Sequence, residues 1–516
     1  MRISELIENE KVFSISTPLG LRDANVSGIT YDSKRVKTGY IFAVTAGNVL
    51  YIQDAIDRGA VAVITDDKSL SHLVNGVAFL FTKYIRPLVA KISRILTPFH
   101  IPFIAGVTGT NGKSSVCNFA CQLWDLLGDS WGMIGTDGAV FKGNDQVDCV
   151  LTTPDSDAVC KLLQDAERLE IRNVVVEASS QGLHQSRLDM IKFDASVWTN
   201  IDSDHLDYHK SKHCYAFSKR RLFMDLTKKG GSMIVGDGVI DWLPADCSKV
   251  SIYKFADGTG RSGIEMVGIK NGKAIVVIEG VIRVVPFNLH GRFQLANVIA
   301  AAQIVSASGY DLHKVVGLFG KLTPVPGRME YVCSYNDGDI YIDFAHTTQA
   351  LNTVVKTAKL MYKNVGVVFG CGGDRDKSKR ALMGRVARRA NWAIVTDDNP
   401  RTENPESIRS DILSGLYKRD EVYKEESLCN DELSDEGYTG YETFCTRVSD
   451  SGHSNMSSED SQILEIPNRE DAIHASITRM RSKSCVIIAG MGVSNEDADR
   501  QIIMQIISYL ERTRTI

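Results

Sequence analysis

The chain has 516 residues, 43% hydrophobic and 24% charged, with a formal net charge of −4. That length leaves room for about three domains with buried cores, and nothing in the balanced charge argues for broad attraction to nucleic acid or membrane. The 11 cysteines are scattered without a C-x-x-C pair, so they read as reduced thiols of a cytoplasmic protein, not as a disulfide framework or zinc site.

The N-terminus carries acids where a secretory leader would carry bases and an apolar core. No uninterrupted apolar run is long enough to span a bilayer. Residues 1–97 predict a small α/β domain, with a strand at 39–44, a short helix closing at 55–59 and a second strand at 61–64. Asp32-Ser33-Lys34, ahead of the first strand, is compatible with plain turn chemistry.

Residues 98–325 open with an apolar segment at 101–105, followed by Gly-Val-Thr-Gly-Thr-Asn-Gly-Lys-Ser-Ser at 106–115. Val116, Phe119, Ala120, Leu123 and Leu126 then recur at helical spacing. Strand, glycine loop and helix form the setting of a phosphate-binding loop, whose N–H groups face a polyphosphate. Lys113 would reach the terminal phosphates and the Ser114 hydroxyl a magnesium ion. Val107 stands at the first glycine position of the strict pattern, flanked by Gly106 and Gly109.

Asn173-Val174-Val175-Val176 predicts a buried strand ending in Glu177, a carboxylate at the strand's carboxyl end and a candidate second magnesium ligand. A strand at 195–200 leads into Asp202-Ser203-Asp204-His205-Leu206-Asp207-Tyr208-His209, an acid–histidine cluster that is a solvated loop when taken alone and a metal-side or substrate-side loop beside a phosphate site. Lys219 sits in a basic helical segment that, read alone, is a solvent-facing turn. Residues 289–297 run into an alanine-rich helix, and Pro324-Val325-Pro326-Gly327-Arg328 reads as a stiff connector and domain boundary.

From 326 onward three strands each end in a polar loop: Asp343-Phe344-Ala345-His346, Cys371-Gly372-Gly373-Asp374-Arg375 and Asp398-Asn399-Pro400-Arg401. This predicts a second doubly wound sheet with a ligand crevice at its carboxyl edge. Arg375 and Arg401 offer two planar forks suited to carboxylates. Residues 419–462 are rich in Asp, Glu and Ser and read as a mobile insertion. A strand at 485–490 follows, then an amphipathic helix with Ile502, Ile503, Ile506 and Leu510 on one face.

In order, GTNGKS (109–114), TTP (152–154), EASSQGLHQSR (177–187), TNIDSDHLDYH (199–209), YAFSKRRLF (215–223), PGR (326–328), DFAH (343–346), GCGGDRD (370–376) and DNPR (398–401) resemble the Mur ligase family over nearly the whole chain. The resemblance implies an α/β protein of three domains: 1–97 for the UDP moiety, 98–325 as a central P-loop ATPase, and 326–516 as a Rossmann-like amino-acid domain. It implies a monomeric, cytoplasmic acid–amino-acid ligase without nucleic-acid or membrane partners. Its substrates would be ATP, UDP-N-acetylmuramoyl dipeptide and meso-diaminopimelate. The product would serve peptidoglycan and cell-wall synthesis, and through them cell shape and the division cycle.

By the same resemblance, Gly109, Thr110, Asn111, Gly112, Lys113, Ser114 and Ser115 hold ATP, with Asn297, Arg328, Asp343 and His346 near its adenosine. Ser114, Glu177, His205 and Lys219, the last as a carbamate, would surround Mg2+, with Lys113 the other catalytic residue. Ser33, Thr152, Thr153, Ser179, Gln185 and Arg187 would hold the UDP substrate. Arg375, Asp398, Asn399, Pro400, Arg401 and Gly490 would hold the amino acid, Arg401 marking diaminopimelate over lysine. Four departures stand out: a shortened loop after Gly47, Gln181 in place of a common histidine, Thr348-Gln349 in place of Pro-Asp, and Gly490-Met491-Gly492-Val493-Ser494 in place of Gly-Lys-Gly-His-Glu. The alternatives are a lysine-adding or folyl-polyglutamate ligase of the family, or a nucleotide-binding protein that has lost ligation.

Overall fold

Runs of Val, Ile and Ala that are buried on both faces build the sheets of this computed structural model. It describes residues 2–7, 14–16, 24–45, 47–72, 77–236, 238–243, 252–254, 263–417, 462–490 and 493–514. The insertion expected at 419–462 lies outside the described residues except for Gln462, as do Met491, Gly492 and the side chain of Ser494. The chain divides into two compact units, Met1–Val325 and Pro326–Ile516. No described helix is long and apolar enough to cross a membrane.

The first unit starts with a five-stranded sheet ordered Ser14–Ser16, Ala78–Phe81, Ala60–Thr65, Tyr40–Ala43, Gly28–Thr30. All neighbours run parallel except the first pair. Helix Ile85–Leu96 lays Ile85, Leu88, Val89 and Ile92 against the core with Ile29, Ile41, Ile64 and Leu80.

A seven-stranded sheet follows, ordered Ile252–Lys254, Thr227–Val235, Phe193–Trp198, Phe103–Thr108, Asn173–Glu177, Trp131–Gly135, Gly138–Phe141. Phe103–Thr108 is central, parallel to both neighbours and buried at every position. The sequence placed this strand at 101–105 and gave Gly106 to the loop. The strand instead runs on, because residues 105–108 continue the ladder with 195–198. Gly106 is a packing residue: a Cβ there would lie 2.9 Å from Leu222 Cδ1 and 3.1 Å from the Phe193 ring.

Helix Lys113–Leu126 buries Val116, Phe119, Ala120 and Leu123 and packs on helix Arg292–Ala307. Ala300, Ala301 and Ala302 are fully buried in the second of these helices. An antiparallel meander, Ile264–Lys270, Lys273–Ile278 and Val281–Pro286, covers the same core with Ile264, Val276 and Ile278.

The second unit holds one six-stranded sheet: Glu330–Tyr335, Gly338–Asp343, Ser484–Ala489, Asn364–Phe369, Trp392–Val395, Gln462–Glu465. Only the first pair is antiparallel. Helix Val493–Arg514 sets Ile503 and Ile506 into its core, with Ile502 and Leu510 packed against it. Three polar loops therefore leave the carboxyl ends of the parallel strands Gly338–Asp343, Asn364–Phe369 and Trp392–Val395, with Ser484–Ala489 between the first two, and ligand crevices form at such ends in open sheets.

Candidate active site

Two glycines let the loop after Phe103–Thr108 turn into its helix. Gly109 has φ +148° and a Cβ there would lie 1.9 Å from Thr199 Oγ1. Gly112 has φ +86° and its Cβ would lie 2.6 Å from Asn297 Oδ1. Neither position tolerates a side chain, and Asn297 is thereby seated on the loop.

The loop is held from the neighbouring strand end. Thr110 N donates to Asn200 O at 3.1 Å, and Asn111 N donates to Asn200 Oδ1 at 2.9 Å. Thr199 Oγ1 donates to Asn111 O at 2.6 Å, and Asp202 N to Thr110 Oγ1 at 2.9 Å. Ser115 is buried in the first helical turn. Lys113 Nζ curls back to Gly109 O at 3.1 Å and Thr110 O at 3.0 Å.

Lys219 is 1% exposed, not solvent-facing, and its Nζ reaches Gly109 O at 2.7 Å. Tyr215, one helical turn earlier, places its ring 4.4 Å from that nitrogen and its hydroxyl 3.1 Å from Thr110 Oγ1. Burial, then the nearby Lys113 charge, pulls the Lys219 pKa well below 10.5, while Asp204 opposes. The helix Lys212–Arg221 continues directly into a π-helical turn, Leu222–Leu226, a distortion common near functional sites.

Glu177 ends its strand fully buried. Thr136 N and Oγ1 donate to its carboxylate at 3.1 and 3.2 Å, and the Ser114 hydroxyl also bonds it. Burial raises its pKa, opposed first by Lys113. His205 sits in the left-handed region at φ 54°, with Nε2 3.5 Å from Asp204 Oδ2 and its ring 6.5 Å from that of Tyr215.

The residues expected to hold the UDP substrate form a second network beside this one. Thr152 Oγ1 lies 3.1 Å from Thr136 Oγ1, the same hydroxyl that holds Glu177. Thr153 Oγ1 donates to Glu177 O at 2.6 Å and accepts from Ser179 N at 2.9 Å. Arg187 Nη1 donates to Thr153 O at 2.7 Å and Nη2 to Gln185 Oε1 at 2.8 Å, with Nε 3.1 Å from Asp155 Oδ1. Ser33 opens the turn Ser33–Arg35, capped by Asp32, and bonds Asp54. Arg35 ties that turn to Asp157 at 3.2 Å. In the shortened loop, Asn48 Nδ2 donates to Tyr31 O at 2.9 Å and Ala43 O at 3.0 Å, while its Oδ1 accepts from Thr45 N at 2.7 Å.

The remaining expected residues lie in the second unit. Asp343 is buried and accepts from Met329 N at 2.7 Å and Ala345 N at 2.8 Å. Burial pushes its pKa up to about 6, opposed by Arg328. Arg328 stacks 4.2 Å over the Phe344 ring, against whose other neighbour, His346, that ring packs at 5.0 Å.

Arg375 and Arg401 converge over Gly372: a Cβ there would lie 3.0 Å from Arg401 Nη1 and 3.9 Å from Arg375 Cγ. Asn399 and Arg401 adopt φ 43° and 52°, which folds Pro400 O against Gly373. Arg401 Nη1 donates to Gly373 O. Gly490, at φ +106°, lies so close to Asp398 that a Cβ would stand 2.8 Å from its Oδ2.

Sequence reading assigned no role to Thr136, Asn200 or Tyr215, and took in His209 only as the end of the acid–histidine loop 202–209. Tyr215 left a signal too, an aromatic one turn before a lysine on the same helix.

Residues 107–305 match the Mur ligase middle domain and residues 327–431 the Mur ligase, glutamate ligase domain. A UDP-N-acetylmuramoyl-L-alanyl-D-glutamate–2,6-diaminopimelate ligase of Chelativorans sp. strain BNC1 is 36% identical over 415 residues, 78% of this chain and 85% of that protein. A solved structure of a ligase with the same name superposes with a TM-score of 0.60 at 25% identity, covering 98% of this chain and 99% of that one. A MurF ligase from Thermotoga maritima in complex with ADP gives a TM-score of 0.61 at 15% identity, covering 96% and 100%.

Proposed function

Because this chain belongs to the Mur ligase family, we propose that it adds meso-diaminopimelate to UDP-N-acetylmuramoyl-L-alanyl-D-glutamate at the expense of ATP. The observation that carries this reading is the meeting of Lys113, Ser114, Glu177 and Lys219 at one glycine loop. We assign residues 1–97 to the UDP moiety, 98–325 to ATP and 326–516 to the amino acid. The enzyme acts as a cytoplasmic monomer.

A carboxylate does not expel oxide, so amide formation needs a better leaving group. Attack of the glutamyl side-chain carboxylate on the γ-phosphate breaks the P–O bond to ADP and forms an acyl phosphate. The incoming amine then attacks the carbonyl and phosphate departs. Lys113 and the loop N–H groups neutralise and orient the transferring phosphoryl group. Thr152, Thr153, Ser179, Gln185 and Arg187 fix the muramoyl dipeptide beside it.

The donor set suits magnesium: Glu177 and Ser114 are hard oxygen ligands. Among the described residues no three His, Cys, Asp or Glu side chains gather as a metal nest. Phosphate oxygens, water, His205 and a carbamate on Lys219 would complete the surroundings. Bound there, the ion supplies charge neutralisation for phosphoryl transfer. Lys219 suits carbamate formation because its burial and the Lys113 charge disfavour the charged form of its amine.

Diaminopimelate carries a second carboxylate that lysine lacks, and Arg401, whose guanidinium lies by Gly372 beside the Arg375 stem, offers it a planar fork. The altered segment at 490–494 favours a second reading, nucleotide binding without ligation. Phosphate release with ATP, Mg2+ and UDP-muramoyl dipeptide separates the two. Release that depends on diaminopimelate is expected. Equal release with lysine would sink the specificity, and none with either amine would favour the second reading.

A further inference from the structure

His209 ends the one-turn helix Leu206–His209 and is 5% exposed. Its Nε2 lies 3.0 Å from Ser180 Oγ on helix Ser180–His184, and its Nδ1 lies 3.4 Å from Ser218 Oγ on helix Lys212–Arg221. Both serines are buried. Ser218 Oγ donates its only proton to Cys214 O at 2.8 Å, so it can only accept from His209. Nδ1 therefore carries the proton, and Nε2 accepts from Ser180.

The same turn makes further contacts. Tyr208 OH accepts from Gln185 Nε2 at 3.0 Å and lies 2.9 Å from His184 Nδ1. His209 N donates to His205 O at 2.9 Å. The His209 ring packs 5.4 Å from Tyr215, the residue that braces Thr110. Ser180 adjoins Ser179, and Ser218 adjoins Lys219. One imidazole thus ties together the chain segments that carry the substrate-side serine and glutamine, the buried lysine and His205.

We propose that His209 is a positioning residue, which holds the substrate-side turn in register with Lys219 for the ligation. Its kinetic consequence rests on the ligase reading above; its geometry does not. Reaction rates fall about 10²-fold for a misplacement near 1 Å, so a clamp between these segments should be visible in turnover.

The test uses His209→Phe, which fills the space without polar contacts, and His209→Gln, which keeps an acceptor for Ser180. His209→Phe should lower kcat/KM for the muramoyl substrate by about 10²-fold while KM for ATP stays within about twofold. His209→Gln should recover at least about tenfold of that loss. Adding Ser180→Ala to His209→Phe should cost nothing more. Unchanged kinetics in His209→Phe, no recovery in His209→Gln, or an equal rise in KM for ATP would overturn the proposal. 15N NMR of wild-type histidines supplies a readout without turnover: His209 should be the neutral Nδ1–H tautomer. The opposite tautomer or an imidazolium at pH 7 would remove the clamp even in an active enzyme. Wild type that fails to ligate but has this tautomer would refute the ligase reading and leave the clamp standing.

Discussion

Lys113 and Lys219 donate to the same acceptor, the Gly109 carbonyl, at 3.1 and 2.7 Å. Two ammonium groups so close would repel, and only one of them is near fully buried. The proton is therefore disfavoured on Lys219, by burial first and by Lys113 second. Lys113→Met should raise the Lys219 pKa part of the way back, since burial remains. Labelling with 13CO2 across pH then tests directly for the proposed carbamate. Its appearance should shift to higher pH in the variant; an unchanged profile would deny the coupling.

Lys219→Ala should lower turnover by at least about 10²-fold, with partial rescue by acetate or formate in place of the carbamate. Full activity in that variant would remove the carbamate from the mechanism. Lys219→Met in CO2-free buffer should be more stable than wild type by about 1–2 kcal/mol, because a desolvated amine beside the Lys113 charge is replaced by an apolar chain. Urea denaturation of the two proteins decides this.

Arg401→Ala should reduce kcat/KM for diaminopimelate by about 10²-fold and leave KM for ATP unmoved. Arg401→Lys should recover little, since an ammonium cannot reproduce a planar fork. Competition between diaminopimelate and lysine measures the lost discrimination.

Two buried groups should tilt stability with pH in opposite directions. Burial holds the Asp343 pKa up at about 6 against an ordinary 3.8, with Arg328 opposing. The folded state binds the extra proton in that window, so this contribution is full below 3.8 and lost as pH rises through about 6. Burial, then His184 and His205, holds His209 down at about 4 against 6.5. Its contribution is present above 6.5 and lost as pH falls through about 4. Denaturation midpoints of Asp343→Asn and His209→Phe should deviate from wild type with opposite slopes between pH 4 and 6. Parallel curves would contradict both assignments.

Much of the framework could be read along the chain, because local pattern and burial coincide there. Val174 to Val176 are apolar enough to name a buried strand, and the acid that ends it must face a crevice. The same reasoning misplaced Gly106, since its glycine answers to Leu222 and Phe193, residues far along the chain. Lys219 looked like surface because its neighbours are Arg220 and Arg221; only the folded Tyr215 and Gly109 bury it. Thr136 and His209 work through partners about 40 and 30 residues away, Glu177 and Ser180, and no periodicity announces such meetings. The convergence of Arg375 and Arg401 depends on left-handed backbone at Asn399 and Arg401, which sequence does not spell out.

The approach of Gly112 to within contact of Asn297 ties two distant codons together. A methyl group gained at the first would displace the carboxamide at the second, and the left-handed backbone at Gly112 penalises any side chain even beside a smaller residue at 297. Among descendants of a common ancestor, glycine should therefore persist at 112 whatever 297 becomes.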